Sequence, residues 1–186
     1  MGLISKECPV GLDAVIQVLQ RDLFIDLTKR FGWRDYDSFP RIYLNKRGND
    51  TIPETYLNSG EYKEVLFNDK KTANSFFLAD DKRTYDPVKF IWRQDVALIV
   101  QANLDKLKPK VKGRADEEVI NDIRLAIKKK IWEERLDSVI TGVDKVYSSL
   151  KLSYDRKYFD NMSNFLIVRV NFNLIYTNTE KTLPLR

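Results

Sequence analysis

The sequence contains no histidine among its 186 residues. A Ser-His-Asp triad, a Cys-His pair and every metal site that needs an imidazole ligand are therefore excluded. Cys8 is the single cysteine, so the chain has neither an internal disulfide nor a thiolate cluster for zinc. A lone cysteine is typical of a chain made in a reducing compartment.

Long apolar runs and nucleotide-binding loops are also lacking. The apolar stretches span only a few residues, far short of the roughly 20 that a membrane-spanning helix needs. The first residues show no charged start followed by an apolar core, so we expect no signal peptide. The patterns GxxxxGK[ST], GxGxxG and GxSxG do not occur. We therefore expect no membrane association and no cofactor.

The composition that remains is that of a globular domain. Hydrophobic residues make up 43% and charged residues 32%, and the length suits one domain covering residues 1–186. The net charge of +5 permits a phosphate-rich partner but is too small to require one.

Two segments have the apolar spacing of amphipathic helices. The first covers residues 11–31, with Gly32 as its stop and Lys29 and Arg30 in its last turn. The second covers residues 114–132, and acidic residues at 116–118 open it as the helix dipole favours. Their apolar stripes are Leu12, Val15, Ile16, Leu19, Leu23 and Leu27 in the first helix, and Val119, Ile120, Ile123, Ile127 and Ile131 in the second.

Two long segments alternate between apolar and polar residues, as half-buried strands do. In residues 165–177, "FLIVRVNFNLIYT", the apolar face runs from Leu166 to Tyr176. In residues 88–104 the corresponding face runs from Phe90 to Leu104. Their matching length and character predict that the two strands pair antiparallel.

The whole pattern predicts an α+β fold. Residues 39–67 are typical of short strands joined by turns, and a short strand and a loop precede residue 165. The order α-β-β-β-α-β-β gives a single antiparallel sheet with both amphipathic helices packed on one face.

Residues 68–87 are polar and mixed, and we interpret them as an extended arm. Within it, Ser75, Phe76, Phe77 and Leu78 ("SFFL") form the part expected to dock on a neighbour. The alternative is an ordinary surface loop. The C-terminal residues 178–186 form a second candidate tail.

The polar faces of the long strands give a second candidate surface, a polar seam that is either an intersubunit contact or solvent-facing. Its members are Arg93, Asp95, Arg169, Asn171 and Asn173, with Gln101 and Asn103 on the same face.

A basic segment lies between the long strand and the second helix: Lys106, Lys108, Lys110, Lys112 and Arg114. In an extended conformation its four lysines would point to one side, as at a phosphate-facing edge. The alternative is a solvated loop. The acidic clusters at 35/37, 80–81 and 116–118 have simple roles in turns or at a helix start, so we expect no catalytic function for them.

The segments "GLDAVIQVLQRDLF", "VALIVQANLDKLKP", "RADEEVINDIRLAI" and "ITGVDKVYSSL…MSNFLIVRVNFNLIY", in this order, resemble the tail-completion and tail-terminator proteins of tailed bacteriophages. They are most similar to the neck-ring proteins of crAss-like phages that infect Bacteroides. The resemblance rests on pattern and includes no functional motif.

The resemblance implies a structural virion subunit without enzymatic activity. Copies of the chain would form a closed ring in the neck or tail, with genomic DNA passing through the lumen without sequence specificity. The partners would be other copies and the adjacent portal, neck or tail proteins, after assembly in the host cytoplasm. Two alternatives remain: a DNA-binding module that uses the basic segment, and a hydrolase or nuclease if carboxylates converge around a metal.

Overall fold

The computed structural model describes residues 2–57, 60–65, 70–128, 136–150 and 164–177. The strands are β1 (Gly2–Leu3), β2 (Tyr36–Arg47), β3 (Asp50–Tyr56), β4 (Tyr62–Glu64), β5 (Ala73–Asp86), β6 (Ile91–Asn103), β7 (Leu136–Thr141) and β8 (Phe165–Tyr176). The helices are α1 (Leu12–Ile25), α2 (Leu104–Leu107), α3 (Asp116–Lys128) and α4 (Val143–Ser149). The α+β fold is confirmed.

Within the described ranges, eight strands form one sheet in the order β4-β3-β2-β5-β6-β8-β7, with β1 beside β2. Most neighbours pair antiparallel, but β2 pairs parallel with both β1 and β5. The sheet is therefore mixed, where the sequence predicted an antiparallel one. After β4, at one edge of the sheet, the chain returns to the sheet on the other side of β2. Because of this crossover, β5 runs parallel to β2.

The predicted antiparallel pair of long strands is confirmed. β6 and β8 pair continuously from Trp92↔Tyr176 to Asn103↔Phe165. The apolar face predicted for the two strands lies in the main core, where Leu98 and Val170 are fully buried beneath the helices. The period of two in the sequence therefore identified the buried face correctly.

Helix α1 continues into a π-helical segment, Asp26–Arg30, and the chain then turns at Gly32. Gly32 has φ +71°, a left-handed conformation that glycine adopts without a Cβ penalty. The Trp33 amide donates to the Leu27 carbonyl at 2.9 Å, which closes the helix end. The predicted helix and its stop are confirmed. For the second predicted helix, the structure describes α3 as far as Lys128.

The opposite face of the sheet carries a second, smaller core. Helix α4, which the sequence analysis interpreted as loop, packs Val146 and Tyr147 against Phe76, Ile99 and further apolar residues of this face. The helix was missed because it is short, although Val143, Val146, Tyr147 and Leu150 have the spacing of one helical face.

Both interpretations of residues 68–87, an arm or a surface loop, are wrong. Most of the segment is β5, an inner strand between β2 and β6. Ser75, Phe76 and Phe77 are 0%, 1% and 2% exposed, and Leu78 packs against the smaller core. The Ser75 hydroxyl lies 2.5 Å from that of the buried Tyr36, so this polar side chain is satisfied inside the sheet. The candidate tail, residues 178–186, lies outside the described residues.

Candidate interaction surfaces

A groove of about 790 Å³ opens on the sheet face opposite α1 and α3. It lies where β2 separates from β5, because the pairing of these strands ends at Ile42↔Leu78. We call it the seam groove. Its apolar lining includes Ile42, Leu44, Leu78, Ala97 and Leu150, and its polar lining includes Asp80, Asp95, Ser138, Arg169 and Asn171.

Three members of the predicted polar seam, Asp95, Arg169 and Asn171, line this groove. The Arg169 Nε donates to Asn171 Oδ1, and Asn171 Nδ2 donates to Ser138 Oγ, both at 2.8 Å. Asn173 donates to Asp95 across β8 and β6, also at 2.8 Å. Arg93 lies two residues before Asp95 on the same face of β6 and is half-buried. The seam is thus a row of polar side chains on β6 and β8 that contains two separate hydrogen-bonded groups.

Arg169 is the main cation of the groove and is half-buried there. Burial lowers the pKa of its guanidinium, and the charge of Asp80 acts in the opposite direction. Since an arginine keeps its charge in proteins, the groove holds a fixed positive group in addition to the carboxylates of Asp80 and Asp95.

Two polar residues that share the seam face have other roles. Gln101 is buried beneath α4, where its Nε2 donates to the Tyr147 hydroxyl at 2.6 Å. Asn103 is the N-cap of α2, and its side chain accepts a hydrogen bond from the Lys106 amide. Both side chains satisfy neighbouring groups of the fold, so the seam is shorter than the alternation indicated.

The basic segment does not form the extended edge described above. Because Asn103 caps α2, the chain enters a helical turn at Leu104–Leu107 and then bends through Pro109 towards α3. The lysines therefore do not alternate along a strand. Lys106, Lys110 and Lys112 are exposed. Arg114 donates two hydrogen bonds to Asp116, at 2.8 and 2.7 Å, and this contact lowers the pKa of the Asp116 carboxyl.

Lys108 points inward and joins two elements of the fold. Its ammonium lies 2.6 Å from Asp122 Oδ2, on the buried side of α3. The same carboxylate oxygen accepts a hydrogen bond from the Trp33 indole at 3.0 Å. Asp122 is only 7% exposed, so the lysine and the indole together compensate a buried charge. Lys108 is thus a structural residue.

In the acidic cluster at 35/37, both carboxylates contact Lys71. Lys71 donates to Asp35 at 2.9 Å and lies 3.5 Å from Asp37 Oδ2. This hydrogen bond lowers the pKa of Asp35. In the described part of the chain, no three acidic or cysteine side chains lie close enough together to hold a metal ion. No helix there is long and apolar enough to cross a membrane.

The hairpin between β5 and β6 carries a surface that the sequence analysis missed. At its end Tyr85, Val88 and Phe90 are 45%, 84% and 70% exposed. We call these three residues the apolar tip. The alternation predicts Phe90 on the buried face of the long strand, and this prediction is wrong. Asp86-Pro87 was the available signal, since this dipeptide favours a turn.

Hydrogen bonds and ring contacts hold the apolar tip. The Asp86 Oδ1 accepts hydrogen bonds from the Val88 and Lys89 amides, each at 3.0 Å, which lower the pKa of its carboxyl. Behind the turn, Tyr85 packs on Trp92 with ring centroids 4.7 Å apart. The Arg83 guanidinium lies over the Trp92 ring, 4.5 Å from its centroid. The turn is therefore a defined structure that displays apolar side chains.

No protein-family model matches the chain, and a search of curated proteins finds no significant relative.

Proposed function

We propose that this chain is a structural subunit that assembles into a closed ring in the neck or tail of a tailed bacteriophage. The ring completes the head–tail connection, contacts adjacent portal, neck or tail proteins, and leaves a lumen for the genomic DNA. Its place is the virion, and it carries out no catalytic step. The proposal starts from the resemblance of the sequence to tail-completion proteins.

The seam groove is the observation that supports it best. A subunit of a closed ring needs a surface on which a neighbour docks by shape and polar contacts, and it needs no reactive group. The groove supplies an apolar floor with a polar rim that is already hydrogen-bonded, as through Asn173 and Asp95. This arrangement resembles the anatomy of interfaces, which have an apolar centre and a polar rim.

The exposed cations of the basic segment suit a lumen or an acidic neighbour. Lys110 and Lys112 lie on the turn that precedes α3 and are exposed. Contacts of this type to phosphate carry no sequence information, which fits DNA that only passes through. The same residues support the second candidate, a DNA-binding module. Tight, salt-sensitive binding of duplex DNA by the free monomer would favour that candidate.

Electron microscopy of the purified chain over a range of concentrations tests the proposal. We expect closed rings that become more numerous as the concentration rises, because assembly follows mass action. Antibody labelling of particles should place the chain between head and tail. A chain that stays monomeric at every concentration and is absent from particles would contradict the proposed function.

A further inference from the structure

The apolar tip is too exposed and too concentrated to be ordinary surface. Val88 and Phe90 are among the most exposed large apolar residues in the described part of the chain, and Tyr85 lies beside them. Scattered apolar side chains on a surface are normal, but three at the end of one hairpin favour a contact site. A contact site needs an occupant.

The tip is also pre-organised for binding. Phe90 has φ 56°, a left-handed conformation that is costly for a bulky side chain. The Asp86 carboxylate holds this turn through two backbone amides. A strained residue held in place by its surroundings is typical of functional positions, and a rigid binding element loses little entropy when it docks.

The seam groove offers apolar and exposed acidic groups to such a tip, alongside the half-buried Arg169. Its floor is apolar at Ile42, Leu44 and Leu78, and the exposed carboxylates of Asp80 and Asp95 lie at its edge. Exposed cations of the same hairpin, Arg83 and Lys89, lie near the tip. Opposite charges around an apolar contact guide two surfaces into register. A volume of about 790 Å³ is within the range of pockets that enclose small ligands, so the side chains of Val88 and Phe90 have room.

A tip cannot reach the groove of its own chain. Asp80 and Asp95 lie at the base of the hairpin, and the tip lies at its end. Four residues along β6 separate Asp95 from Ile91, the residue that pairs with Asp86, which at about 3.3 Å per residue is roughly 13 Å. Beyond a bulge at residues 80–82, the strands pair from Arg83↔Gln94 to Asp86↔Ile91, so the end of the hairpin does not fold back. A contact between the apolar tip and the seam groove would therefore join two copies.

We infer that the apolar tip of one copy inserts into the seam groove of a second copy. Because the two surfaces differ, the contact is heterologous and each subunit both gives a tip and receives one. Repetition of such a contact closes into a ring when the rotation permits. The inference rests on the proposed function, which it deepens by naming the surfaces that meet.

Tip variants compared with a matched surface control form the first test. The double variant V88S/F90S removes the apolar groups, and V10S removes another strongly exposed valine, 73% exposed, far from the hairpin in sequence. Sedimentation velocity should show at least a tenfold higher concentration for assembly of V88S/F90S, and no change for V10S. Phe90→Gly is a second variant, since glycine accepts the positive φ and keeps the fold.

Cross-linking between two tagged chains tests the geometry. Both chains carry Cys8→Ser, which removes the single native cysteine. One chain then carries Val88→Cys and the other Leu44→Cys, and a short bismaleimide joins them where they meet. We expect a mixed dimer for this pair, and none when Val10→Cys replaces Leu44→Cys.

The outcomes separate this inference from the proposed function. If V88S/F90S assembles as the parent does, or the Val88–Leu44 pair does not cross-link, the inference is overturned while a ring subunit remains possible. If the parent chain never assembles, both fail. Tip-dependent binding to vesicles containing phosphatidylserine, without self-association, would identify a lipid surface as the occupant and overturn the inference.

Discussion

At the scale of single residues, Tyr36 shows how the sheet sets the chemistry of a side chain. Its ring is fully buried between α1 and β5, and its hydroxyl pairs with Ser75. Burial raises the pKa of Tyr36 to about 12, since the phenolate would be a buried charge. Hydrogen bonds from Ser75 and Ser38 act in the opposite direction but are weaker.

The raised pKa of Tyr36 predicts a loss of stability at alkaline pH. An unfolded tyrosine ionises near pH 10, whereas the folded one keeps its proton to about pH 12. The unfolded chain therefore binds fewer protons in this window, and the free energy of unfolding falls as pH rises. For this one group the fall is about 2–3 kcal/mol between pH 10 and 12.

Urea denaturation from pH 8 to pH 11.5 measures this dependence. We expect Tyr36→Phe to be less stable than the parent at pH 8 by about 1 kcal/mol, because the hydrogen bond between Tyr36 and Ser75 is lost. Above pH 10 the variant should lose stability more slowly than the parent. Equal slopes in the two proteins would show that Tyr36 ionises normally in the folded state.

At the scale of elements, the sequence specified those with a clear period. β6 and β8 are covered by helices on one face, so apolar residues occupy every second position along each strand. Leu98 on β6 and Val170 on β8 are examples. Helices α1 and α3 have one apolar stripe each. β5 gave no such signal because both of its faces are buried, with Phe76 in one core and Phe77 in the other. Inner strands of this kind do not alternate.

The candidate surfaces, like the elements, were predicted from the sequence only in part. Polar residues that interrupt an alternation indicated the seam, and Arg169 and Asn171 are indeed in hydrogen-bond contact there. The groove depends on where β2 separates from β5, which is a tertiary feature with no local signature. The apolar tip was missed because Phe90 continues the strand pattern into a turn.

The basic segment yields a prediction that separates structural from exposed lysines. Lys108→Ala leaves the Asp122 carboxylate buried with only the Trp33 indole as a described partner. We expect a loss of about 1–3 kcal/mol in the free energy of unfolding. Lys110→Ala, on an exposed part of the same turn, should change it by less than about 0.5 kcal/mol. Similar losses for both would mean that the Lys108–Asp122 pair adds no stability.

At the scale of the whole molecule, the sheet divides into two groups of strands that meet at one pair. β2, β3 and β4 lie on one side, and β5, β6, β8 and β7 on the other, joined where Tyr36–Ile42 pairs with Ala73–Leu78. Beyond this junction the groups separate and leave the seam groove between them. The same strand, β5, therefore connects the two groups, borders the groove and carries the hairpin to the apolar tip.

A deletion within β5 should consequently abolish folding, whereas a change in the turn after β5 should leave the fold intact. Deleting residues 70–84 removes the strand that joins the two groups, together with Ser75 and Phe77 of the core, so we expect no soluble, cooperatively folded protein. Replacing Pro87–Phe90 with Asn-Gly only shortens an exposed hairpin, because this pair forms the two-residue turn that antiparallel strands favour. That variant should unfold cooperatively, within about 1 kcal/mol of the parent, yet fail to form rings in electron microscopy. A folded 70–84 deletion would place β5 outside the sheet, and rings formed by the shortened hairpin would remove the tip from the subunit contact.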